Sequence, residues 1–161
     1  AIGHSARDTY EMLLKRGVTM EKKGFAAGIR IEHPAALINR IQYGGSPYRD
    51  LLPAAEYALT FNDRISGRGI YSFCMCPGGR VINSSSEREM LCTNGMSFSR
   101  RNHPFSNPAI VVSVSPKDCP GGPLDGSGFQ RMIESSAFRS GGGLFHDPVD
   151  FFYVAHYLAR R

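Results

Sequence analysis

This chain has no apolar run long enough to span a membrane, and its longest, around Ala109–Val114, is the size of one strand. No signal or transit peptide is visible either. Four cysteines in 161 residues are too few for a secreted disulfide scaffold, so reduced thiols and a cytoplasmic setting are expected. The net charge is +5, but the basic residues are scattered, with short pairs such as Arg100-Arg101 and Arg160-Arg161. The chain offers no compact basic stripe of the kind nucleic acid requires. A phosphate-bearing cofactor or an acidic neighbouring domain accounts for the charge as well. Several catalytic signatures are missing too. There is no G-x-G-x-x-G after a strand, no Walker loop, no G-x-S-x-G and no H-E-x-x-H. The chain therefore contains no dinucleotide fingerprint of its own.

What is present describes a globular chain. Hydrophobic residues make up 42% and charged residues 20%, which separates it from disordered sequences. Eighteen glycines and ten prolines predict many turns, and so an α+β, β-rich domain rather than a helical bundle. Ser5 and Asp8 have the spacing of a capping box, followed by Ala6, Tyr10, Leu13 and Leu14 at helical intervals and a stop at Gly17. Residues 1–3 read as the tail of a preceding strand, so Gly3 to Ser5 is a strand–glycine–helix junction whose free N–H groups suit an anion. Phe25 to Glu32 alternates, with Phe25, Ala27, Ile29 and Ile31 on one face and Gly28, Arg30 and Glu32 on the other. Pro34 opens a short helix through Ile41. Further strands are expected at Tyr57–Phe61, Gly69–Cys76, Arg80–Ser85, Met90–Phe98 and Ala109–Ser115. Pro77-Gly78-Gly79 joins the second and third of these as a hairpin. Helices are expected at Phe129–Arg139 and Val149–Leu158.

The most informative stretch is Ser72-Phe73-Cys74-Met75-Cys76-Pro77-Gly78-Gly79. In an extended strand the two thiols share a face, with Cα atoms about 6.6–6.8 Å apart. That is the outer limit for a disulfide, and Pro77 holds Cys76 extended. Zinc would need a second pair of ligands, but Cys92 and Cys119 stand alone, so no metal site is assigned. Two readings remain: small apolar side chains lining a core or cofactor wall, or thiols that act on a substrate. Arg30, Glu32 and His33 cluster at a strand end, as a polar substrate site or an ordinary solvated face. In Asn94-Gly95-Met96-Ser97, Gly95 marks either a bulge or a close approach of backbone to ligand.

These motifs together resemble the bacterial and plastid FAD-dependent dehydrogenases. Residues 3–10, 28–34, 71–79, 94–97 and 128–130, and the helix ending at Gly141-Gly142-Gly143, match in order over nearly the whole chain. The resemblance implies an internal piece of a longer protein, whose FAD fingerprint lies upstream of Ala1 and whose second FAD-contacting segment lies downstream of Arg161. It implies three parts: residues 1–20 as the tail of the flavin-binding domain, 21–145 as a β-rich substrate or cap domain, and 146–161 as a helical segment. It places Gly3, His4 and Ser5 near the cofactor, together with Asn94, Gly95, Met96 and Ser97. Cys74 and Cys76 become the candidate catalytic thiols on the substrate side.

Two functions follow. In the first, the chain is the cap of a FAD-dependent oxidoreductase that acts on a small molecule. Its partner is the FAD-binding domain of the same parent, and the chain alone does not retain FAD. In the second, it is a non-catalytic module for a phosphorylated ligand or RNA, using Arg100, Arg101 and the Gly3–Ser5 junction. An exposed sheet edge, or an apolar face left by the missing domain, is a route to a homodimer.

Overall fold

The computed structural model describes residues 3, 5–48 and 51–143, and the backbone of 152–157. In chain order the elements are α1 (Arg7–Lys15), β1 (Phe25–Arg30), β2 (His33–Pro34), α2 (Ala35–Tyr43), β3 (Thr60–Asn62), β4 (Gly69–Cys76), β5 (Gly79–Asn83), β6 (Thr93–Ser97), β7 (Phe105–Val114), α3 (Asp125–Ser140) and β8 (Phe152–Tyr157). The fold is α+β, as its composition implies. One antiparallel sheet has the order β3-β4-β7-β1-β8, with β2 attached to the start of β7. A separate ribbon pairs β5 with β6.

The apolar run around Ala109–Val114 belongs to β7, which lies between β1 and β4 and is buried along most of its length. Strands covered on both faces lose the simple alternation of half-exposed ones. On one face Phe25, Ala27, Val114 and Cys119 form a core against Phe129, Ile133 and Ala137 of α3. The rings of Phe25 and Phe129 meet edge-on at 6.0 Å. On the other face Ala26, Ala109 and Val111 pack with Tyr71 and Phe73.

Several elements differ from the expectation. α1 ends at Gly17 as expected, with a complete Schellman pattern. Val18 N–H donates to Leu13 O at 3.1 Å and Gly17 N–H to Leu14 O at 3.0 Å, with Gly17 at φ +78°. Its start has no capping box: Ala6 is the N-cap, and Asp8 accepts from the neighbouring Thr9 N–H at 2.8 Å. A capping box does occur, at Ser115 and Asp118 after β7. β4 and β5 are not a hairpin, because β3 and β7 already occupy both edges of β4. The chain leaves the large sheet at Gly78 (φ +53°), and β5 pairs with β6 instead. Within the span read as a last helix, Val149–Leu158, residues 152–157 form a strand that pairs with the free edge of β1. Its aromatic and β-branched composition suits that role.

A buried ion cluster fastens α1 to the body of the fold. Arg7 is 2% exposed and makes a two-pronged contact with Glu134 on α3, at 2.6 and 3.0 Å. Gln130 accepts a further bond at 3.4 Å, and Glu87 lies 3.4 Å away. Arg131 extends the network to Glu87 at 3.0 Å and Glu11 at 2.9 Å. Hydrogen bonds from Arg131, first among the causes, hold the Glu87 carboxyl below its ordinary range. Removing one member of such a buried pair strands the other charge. Arg7→Met is therefore expected to cost about 3–5 kcal/mol in urea denaturation, and Arg7→Met with Glu134→Met much less. Near the end of β7, Arg68 bonds Asp118 at 2.5 and 2.9 Å and holds its carboxyl well below the usual range, with Ser115 N–H helping. A depressed carboxyl stabilises the fold above its unfolded pKa and loses that effect as pH falls through the folded value. Asp118→Asn is accordingly expected to be less stable than the parent at neutral pH, and the gap should close as acid denaturation is approached.

Candidate functional site

The last residue of β1, Arg30, carries its side chain into the interior and is 0% exposed. Its Nη1 donates to Asn107 O at 3.0 Å and to Asn107 Oδ1, and its Nη2 donates to Cys74 O at 3.0 Å. Nη1 also lies 3.6 Å from Cys76 Sγ, which in turn donates to Cys74 O at 3.4 Å. All of these acceptors are neutral. Among the described residues no carboxylate pairs with this guanidinium. Arg30 Nε and Asn107 Nδ2 are buried there with no hydrogen-bond partner among the described residues. Buried polar groups left in this state call for an explanation.

Two local features make room for Arg30. The first is a bulge in β4: Phe73 faces Ala109 and Cys76 faces Asn107, so β4 carries one residue more than β7 over the same length. Cys74 sits in that bulge at φ +51°, a strained position for a residue with a Cβ. The bulge aims the Cys74 carbonyl at Arg30 and leaves the Cys74 side chain exposed. The second feature is Gly95. A Cβ there would overlap the Arg30 guanidinium and the Asn107 side-chain oxygen. Beyond the bulge, the Gly78 N–H donates to Ser106 Oγ at 3.1 Å and Ser97 Oγ donates to Pro77 O at 2.9 Å, which ties the turn to β6 and β7.

The two thiols therefore do not share a face, because the bulge breaks the alternation that would align them. Cys76 is buried against Arg30 and Cys74 points outward. The expected facing of β1 also changes. Ile29 and Ile31 are each 37% exposed, while Arg30, expected on the polar side, is sealed in. Glu32 accepts from Val81 N–H at 2.6 Å and ties the β5–β6 ribbon to the end of β1. Burial pushes His33 below the ordinary imidazole range, with Glu32 opposing, and its ring lies 5.6 Å from Tyr57. Asn94, Gly95, Met96 and Ser97 form most of β6, paired with residues 79–82 of β5. Gly3 lies elsewhere, where its carbonyl accepts from Tyr10 OH at 2.7 Å. Ser5 is exposed, and His4 lies outside the described residues. Arg101 is paired with Glu56 at 2.6 Å, which leaves less of the basic surface that a nucleic-acid reading needs. Among the described residues no group of three or more His, Cys, Asp or Glu is placed to hold a metal ion, and no helix is long and apolar enough to cross a membrane.

Ser106 and Asn107, both fully buried, carry no local signal of their role. They lie before the apolar run, and it is pairing of Ser106 with β2 and of Asn107 with Cys76 of β4 that extends β7 over them.

A family model for the FAD-dependent protein, C-terminal domain-like, matches residues 24–160. The chain belongs to this FAD-dependent family. An uncharacterized protein of Clostridium beijerinckii is 53% identical over 150 residues, which is 92% of this chain and 28% of that protein. The chain therefore spans little more than a quarter of the relative's length. For FAD the residues divide. The nucleotide end finds no G-x-G-x-x-G after a strand in this sequence, and Gly95 already accommodates Arg30. The Arg30 node is different. A buried cation with no carboxylate partner among the described residues, and with unmet polar atoms, suits the neighbourhood of an electron-accepting ring that gains negative charge.

Two substitutions test this geometry within the FAD-dependent family fold. Gly95→Ala forces the guanidinium off Asn107 and is expected to cost about 2–4 kcal/mol. Asn107→Asp keeps the shape and supplies the missing carboxylate, and is expected to raise stability by about 1 kcal/mol. Urea midpoints of the two variants, measured against the parent, check both signs.

Proposed function

We propose that this domain is the substrate-side cover of a flavin-dependent oxidoreductase, and that Arg30 sets the electrostatic bias of that cover. Membership of an FAD-dependent family supports the flavin, and a relative of much greater length is consistent with nucleotide-holding parts elsewhere in a parent protein. FAD bound by such a parent supplies the hydride or electron chemistry. The residues of this chain orient a small-molecule substrate, exclude water and set the local charge.

The observation that carries the reading is the charge of Arg30, removed from water and met by carbonyls, an amide and a thiol. In a low-dielectric surrounding such a charge reaches further than it would at the surface, and it favours negative charge gathering nearby. The strained bulge at Cys74 displays a thiol outward from the same node, as a group to touch substrate. Met96, 55% exposed on the neighbouring ribbon, offers an apolar contact beside the glycine that admits Arg30. Cys76 serves the interior, holding Arg30 rather than meeting substrate.

The test is electrochemical and uses the flavin-loaded parent protein. Asn107→Asp, which neutralises the node, is expected to lower the flavin midpoint potential while flavin content stays the same. An unchanged potential in a variant that retains its flavin would remove Arg30 from this role.

A further inference from the structure

β1 has a second end. Phe25 lies five residues before Arg30, roughly 17 Å along the strand, and its side chain points to the opposite face. There the molecule has a cleft of about 490 Å3, within the size range of small-molecule sites. Tyr10, Pro116 and Pro123 line it with Met20 and Leu124, Gly3 lies beside them, and the ring of Phe25, 2% exposed, closes it from the core side. Cys119 also lines it. Burial, aided by Asp125 and Asp118, pushes that thiol up, so this part of the wall is uncharged at neutral pH. Lys22 is occupied as a strut, its Nζ donating to the carbonyls of Cys119 at 2.9 Å and Gly121 at 3.0 Å. Lys23 is at the rim, exposed, and has no hydrogen bond or ion pair among the described residues. Glu21 also reaches the rim and repels an anion, so a negatively charged ligand has one favoured orientation, with its charge beside Lys23.

We infer that this cleft binds a flat aromatic carboxylate, its rings between Tyr10 and the two prolines and its anionic group at Lys23. Stacked apolar walls supply affinity, and the one uncommitted cation supplies the preference for charge. The site stands apart from the Arg30 node, on another face and at the other end of the strand; Gly3, which the resemblance places near the cofactor, lines it, and the flavin competition below separates the two uses.

The probes are 2-naphthoate and its neutral counterpart 2-naphthamide, titrated by fluorescence and calorimetry into the 161-residue chain. One naphthoate per chain is expected to bind saturably. Lys23→Glu, an exposed change that leaves the fold alone, is expected to weaken naphthoate by about tenfold and to leave naphthamide within about twofold. Ser127→Trp, which fills the cleft from α3, is expected to abolish both, with an unchanged far-ultraviolet circular dichroism spectrum reporting an intact helix. Three results would overturn the assignment: no saturable binding, an equal effect of Lys23→Glu on both probes, or displacement of naphthoate by flavin mononucleotide. The last would make the cleft an edge of the cofactor site.

Discussion

A guanidinium sealed at the end of a central strand forces its surroundings to adapt. Arg30 gives up water, and nothing of opposite charge replaces it among the described residues; the node therefore relies on dipoles aimed from several elements. Each aim has a structural consequence. The Cys74 carbonyl reaches it only because β4 bulges, the Asn107 side chain only because β7 begins early enough to include it, and the space beside Nη1 exists only because residue 95 has no Cβ. The bulge in turn puts one thiol outside and one inside, and the chain then departs at Gly78 into the small ribbon. One buried charge thus links the large sheet, the ribbon and the exposed bulge.

The comparison with Arg7 shows why this arrangement points to function rather than to stability alone. Arg7 is as deeply buried, yet a carboxylate meets it with two short bonds, and Glu87, Arg131 and Glu11 extend the network. That is how a fold compensates a charge it needs only for attachment, here α1 to α3. The same chain has the means to compensate Arg30: one carboxylate at residue 107 would be isosteric with the amide that is there. An amide leaves the positive charge standing. Sites that must favour a developing negative charge keep such an imbalance at some cost in stability.

The sequence conveyed the kind of fold and most of its elements, because hydrophobic spacing and glycine punctuation are local signals. The stop at Gly17, the strand after Gly24 and the helix around Phe129–Arg139 were all visible in this way. What it hid was decided by pairing. Nothing local shows that both edges of β4 are taken, so the Pro-Gly-Gly turn looked like a hairpin. Nothing local shows that β1 has an edge open beyond β7, so the aromatic segment near the C-terminus looked helical. At the site, alternation placed the two thiols on one face, and a single left-handed residue undid that inference. Arg30 was noticed as one of a polar cluster at a strand end. Its burial was not legible, because the residues that bury it, Asn107 and Gly95, are 77 and 65 positions away and ordinary in type.

β1 separates two chemistries within six residues. At its first residue the surroundings are rings, an uncharged thiol and a cation left at the rim; at its last they are dipoles gathered round a cation that is sealed in. A cation in water is screened within about 8 Å at physiological ionic strength and chooses among ligands that come to it, whereas one in the interior acts on whatever charge the protein places nearby. The rim lysine therefore suits recognition of a free molecule, and the buried arginine suits control of a group held in place. Their placement on opposite faces follows from strand geometry alone, since residues 25 and 30 differ by an odd number of steps. On the two proposed roles, that separation keeps a diffusing anion away from the charge assigned to the flavin.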